Sequence, residues 1–73
     1  MRTMERKKLN EEFAKQLRIL CTSVGSVNEL ADQIGVDRGT VYRHIKDPEK
    51  VTVRELRELN ALAQKEGLNY TFT

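Results

Sequence analysis

From Asp37 to Lys46 the sequence gathers polar and cationic side chains around two apolar ones, Val41 and Ile45. If this stretch is a helix with Val41 and Ile45 turned inward, its outward face is Asp37, Arg38, Gly39, Thr40, Tyr42, Arg43 and Lys46. That set suits the reading of an anionic polymer with patterned edges. An arginine fork matches the two acceptors of a guanine, and a threonine hydroxyl donates, accepts or touches a thymine methyl. Gly39 allows close approach of the backbone at some cost in helix stability. The first turn of a helix also favours phosphate, and Lys46 is placed for a phosphate rather than for a base edge. Arg2, Arg6, Lys7 and Lys8 are either the opening turns of a first helix or a basic arm able to touch DNA.

Other chemistries lack their parts. His44 is the single histidine, and no second His, Cys or acid cluster stands at metal-ligand spacing. No Ser/His/Asp set, paired carboxylates or glycine-rich phosphate loop stands out, so neither an enzyme nor a cofactor, metal or small-molecule ligand is expected. His44 is expected to pack, and Cys21 to serve as a small apolar core residue. One cysteine cannot form an internal disulfide, which fits a reducing, cytoplasmic setting. No apolar run nears the roughly 20 residues of a membrane span, and the start of the chain lacks a signal-peptide apolar region.

The elements that must position this face follow from spacing. Leu9, Phe13, Leu17, Leu20, Cys21 and Val24 mark one side of a first helix, starting near Thr3 or near Asn10. Ser26 and Glu29 form a capping box for a short second helix whose inner face is Leu30, Ala31 and Ile34. Gly35 then sits where a helix end wants a left-handed residue, and Val36 folds back onto it. Asp37 is placed to cap the third helix, and Pro48 stops it. Thr52 and Glu55 open a fourth helix with the stripe Val53, Leu56, Leu59 and Ala63, Leu62 on its flank, and Gly67–Leu68 closing it. The tail 69–73 alternates like a strand, with Tyr70 and Phe72 on one face, to pack on the domain or to pair with a second chain.

Of 73 residues, those up to 46 hold nine Lys/Arg against six Asp/Glu, a net +3; those after hold four against five, a net −1. The imbalance is small, and it gains weight only beside a motif that calls for an acidic partner.

Leu30-Ala31, then Ile34-Gly35-Val36, then Thr40-Val41 together resemble the helix-turn-helix of λ-repressor/Cro-like regulators, and the likeness runs over roughly residues 9–68. It implies an all-α, four-helix bundle with its helix-turn-helix at 26–46, flanked by segment 1–8 and a tail, 69–73, that could act as a dimer strand. The implied DNA-facing residues are Arg38, Gly39, Thr40, Tyr42 and Arg43, with phosphate contacts from Ser26 to Asn28 and from the loop after the third helix. Val27 stands where the family often has Gln, and His44 where it has an apolar or aromatic residue. The string 35–44 is also similar to recognition helices of tetracycline-repressor-type regulators and of serine recombinases, whose further domains exceed this length. The expected function is a duplex-DNA-binding transcription regulator of phage or bacterial type, acting as a homodimer. The alternative is a protein-interaction helix-turn-helix module, such as an antitoxin or a recombination accessory factor.

Overall fold

The computed structural model describes the backbone of residues 2–73 and the side chains from Leu9 onward. Four α-helices and one short 3-10 turn make an all-α bundle: α1 (Arg2–Val24), α2 (Val27–Ile34), α3 (Arg38–Lys46), the turn Pro48–Lys50, and α4 (Val53–Lys65). No strand occurs among the described residues. No helix among them is long and apolar enough to cross a membrane.

The first helix begins at Arg2, ahead of both expected starts, so segment 2–8 belongs to its opening turns. At 1.5 Å rise per residue it is about 35 Å long, which matches the molecule's 36 Å long axis. The other helices cannot cover all of it. Phe13, Leu17, Leu20 and Cys21 are buried, while Leu9, on the same expected stripe, lies beyond the core and is 70% exposed.

Local chemistry sets the short helices. The Ser26 hydroxyl accepts from the Glu29 N–H at 3.1 Å, which starts α2. Gly35 ends it in the left-handed region at φ 76°, and the Val36 N–H returns to the Ala31 carbonyl at 3.0 Å. That bond closes a Schellman turn, as the Gly-Val pair led us to expect. Only residues 35–37 separate α2 from α3, so the two helices form a tight helix-turn-helix. Leu30, Ala31 and Ile34 face inward from α2. From α3 the buried residues are Val41 and His44; Ile45, expected beside Val41, is only half-buried.

The last helix differs from its expected stripe. Its buried residues are Glu55, Leu59, Leu62 and Ala63, spaced i, i+4, i+7 and i+8, with Leu56 half-buried. Val53 lies on the opposite side and is 66% exposed, and Leu62 sits in the core rather than on its flank. The Thr52 hydroxyl does accept from the Glu55 N–H at 3.2 Å. The Glu55 carboxylate, however, does not complete a capping box: it turns inward to His44. The inner face thus includes a carboxylate where spacing alone placed Val53.

The tail packs on its own domain instead of forming a strand. Phe72 is almost wholly buried in the core, edge-on to Phe13 at a ring separation of 5.2 Å and to Tyr70 at 4.9 Å. Asn60 holds its backbone on both sides. The Asn60 Oδ1 accepts from the Phe72 N–H at 2.6 Å, and Nδ2 donates to the Phe72 carbonyl at 2.9 Å. One amide side chain thus supplies to the Phe72 N–H and C=O the two hydrogen bonds that a neighbouring strand would supply.

Candidate nucleic-acid interface

The outward face of α3 carries Arg38, Gly39, Tyr42, Arg43 and Lys46, all exposed, with Thr40 half-exposed between them. Behind it Val41, 1% exposed, fixes the helix to the core. Tyr42 is 54% exposed. Ser26 and Asn28 are exposed at the start of α2. Ser26 and Val27 line one groove with Tyr42 and Ile45, so the start of α2 and the α3 face share one side of the molecule. Arg18 of α1 lines the same groove, of about 530 Å³. The side chains of Arg2, Arg6, Lys7 and Lys8 lie outside the described residues.

Three residues on this face are joined by hydrogen bonds. The Thr40 hydroxyl donates to Asp37 Oδ1 and accepts from Arg43 Nη2 at 3.1 Å. Positions 37, 40 and 43 are three apart, which places them in one row along the helix. Asp37 is the residue before α3, yet its side chain makes no capping bond to a backbone N–H. The expected cap is replaced by the bond to Thr40, because a hydroxyl one turn on competes for the same carboxylate. That bond holds the Asp37 carboxyl below its ordinary range, with the nearby Arg43 charge adding a smaller pull. Gly39 has a further role: a Cβ there would stand 3.2 Å from Asp37 Oδ2. Its missing side chain leaves room for that carboxylate, in addition to any backbone approach to a ligand. An acidic group at the head of α3 also makes this helix start less hospitable to phosphate than spacing alone suggests.

The face is braced from behind by a second polar pair. His44 Nδ1 lies 2.8 Å from Glu55 Oε2, with side chains 10% and 11% exposed. Oε2 has no well-aligned hydrogen-bond donor among the described residues, so the contact is a close approach of imidazole and carboxylate rather than a well-directed hydrogen bond. His44 therefore packs, as expected, but against a carboxylate. Glu55 was missed as a partner because its position, three after Thr52, reads as a capping box. Arg54 was missed as well: its Nη2 would stand 3.2 Å from a Cβ at Gly35, beside the end of α2 and the turn. A cation there suits the partial negative charge of a helix C-terminus.

Burial pushes the Cys21 thiol up, which keeps it protonated and suits its place in the core. Among the described residues, no group of three His, Cys, Asp or Glu gathers to hold a metal ion. No protein-family model, curated protein or solved structure matches the chain.

Proposed function

We propose that this protein binds duplex DNA as a sequence-specific transcription regulator, placing α3 in the major groove. The observation that carries the reading is the outward face of α3: Arg38, Arg43 and Lys46 stand exposed on a helix anchored behind by Val41 and His44. Among the described residues Arg38 and Lys46 form no ion pair within the protein, so both charges are available to an anionic partner. The helix-turn-helix of residues 26–46 supports the same reading, since a second helix of this kind is the part that enters the groove. Arg38 and Arg43 are proposed as base readers and Lys46 as a phosphate contact. Ser26 and Arg18 line the groove beside Tyr42, and they, with the exposed Asn28 at the start of α2, are proposed to touch the backbone of the duplex.

In this reading the protein is cytoplasmic and acts as a homodimer on half-sites about one helical turn apart, occupying an operator and blocking or recruiting polymerase there. Its dimer contact lies elsewhere than Phe72, whose backbone Asn60 holds. The alternative, a module that grips a partner protein through α3 or through the tail, loses the buried Phe72 as a contact. Selection of bound sites from random duplexes tests the proposal. A shared motif containing guanine, arranged as an inverted repeat, is the expected outcome. An unenriched pool would contradict sequence-specific binding.

A further inference from the structure

We infer that Asp37 and Thr40 are positioning residues, which hold the Arg43 guanidinium in one orientation so that Arg43 reads a guanine, and that neither is itself a base contact. The inference rests on the DNA-binding reading above and specifies how its recognition helix discriminates. A hydroxyl has one proton and two lone pairs. Thr40 directs its proton to Asp37 Oδ1 and one lone pair to Arg43 Nη2, which removes its donor from any base edge. Its ends are a carboxylate and a guanidinium, and hydrogen bonds to charged groups are the stronger kind. The carboxylate lies at the N-terminal end of the row and the cation toward the C-terminal end, the order that the helix dipole favours.

The geometry leaves the reading edge of the arginine usable. Nη2 carries two hydrogens, and the bond to Thr40 takes one. The other, paired with a hydrogen of Nη1 or of Nε, still presents a fork that matches guanine O6 and N7. An exposed arginine normally samples many rotamers and loses them on binding, whereas one already tied to its own helix has less to lose. Gly39 belongs to the same device, because a side chain there would crowd Asp37 Oδ2.

Two measurements on one set of variants decide the matter. The first is site selection from random duplexes with the wild type, Thr40→Val, Thr40→Ser and Arg43→Ala. Arg43→Ala is expected to lose the guanine preference at one base position, about 5- to 150-fold. Thr40→Val, which keeps the shape and loses the hydroxyl, is expected to lose at least about fivefold of that preference with an unchanged salt dependence. Thr40→Ser is expected to retain it. The second is the mobility of the Arg43 side chain by NMR relaxation in the protein without DNA. It is expected to rise in Thr40→Val and to stay at the wild-type level in Thr40→Ser.

A full guanine preference in Thr40→Val, or an Arg43 side chain equally mobile in wild type and Thr40→Val, would overturn the positioning role. If the wild type bound no duplex at all, the DNA reading would fall and the guanine assignment with it. Binding with an undiminished preference in Thr40→Val would instead leave the DNA reading intact and sink only the inference.

Discussion

The Glu55 carboxylate lies 2.8 Å from His44 Nδ1 in a nearly closed site between α3 and α4. Removing one partner from such a pair strands the other, and the cost is commonly about 3–5 kcal/mol. With roughly a tenth of each side chain exposed, His44→Ala is expected to cost about 3 kcal/mol, measured by urea unfolding. The joint change His44→Leu with Glu55→Met, which fills the same space with apolar atoms, is expected to lie within about 1 kcal/mol of wild type. A small effect of His44→Ala alone would show that the pair does not brace α3. Asp37 gives a pH dependence of opposite interest, since it is fully exposed. Its folded pKa is depressed, so its contribution is present above the ordinary carboxylate range and is lost as pH falls through the lowered value. Arg43 mobility is accordingly expected to rise only in strongly acidic solution, and to be insensitive to acid in Asp37→Ala. At this scale the sequence was least legible. Spacing marked Asp37 and Glu55 as cap residues, and it cannot tell a carboxylate that caps a backbone from one that turns to a side chain.

Elements were read more securely where a terminus has its own chemistry. Ser26 before Glu29, and Gly35 before Val36, specify a start and a stop through hydrogen bonds that lie within a few residues. Ser26→Ala is expected to cost about 1 kcal/mol. Gly35→Ala is expected to cost about 1–2 kcal/mol, since its φ of 76° suits only glycine well. A Cβ there would also crowd the Arg54 guanidinium. Gly35→Ala loosens the turn that orients α3 and Ser26→Ala frays the start of α2 that braces it, so each is expected to weaken duplex binding beyond its effect on the folded fraction. Thermal unfolding alongside a duplex titration at saturating folded protein checks this. The faces of the longer helices were harder to read. Val53 and Leu9 fit helical spacing, but burial depends on what the rest of the chain can reach, and neither position is reached. Local signals set where helices begin and end; the inward side of α4 carries Leu59, Leu62 and Ala63 together with Glu55, which meets His44.

For the molecule as a whole, the four-helix, all-α architecture was legible from periodicity and punctuation, and packing of the tail on its own domain was one of two readings that the sequence left open. Alternation in residues 69–73 suggests a strand, yet the deciding partner is Asn60, far back in the chain and silent in any local pattern. Phe72 closes the core against Phe13, and Phe72→Ala is expected to cost about 3–5 kcal/mol. That is close to the entire stability expected of a domain this small, so the variant is expected to be largely unfolded near body temperature, as circular dichroism would register. Asn60→Ala is expected to cost about 1–3 kcal/mol through the two backbone groups it leaves unpaired. The intact bundle is what presents the basic face of α3 to a partner, while the chain's net charge of +2 gives little attraction by itself. In the proposed reading, affinity for a duplex therefore comes from the local arrangement of that face. Titration of a duplex carrying the selected site, at several salt concentrations, measures that most directly. Affinity should fall steeply and linearly on a log–log plot as salt rises, and Lys46→Ala should lower the slope by about one. A wild-type protein with no affinity for duplex at low salt, or one whose binding ignores salt, would contradict the account.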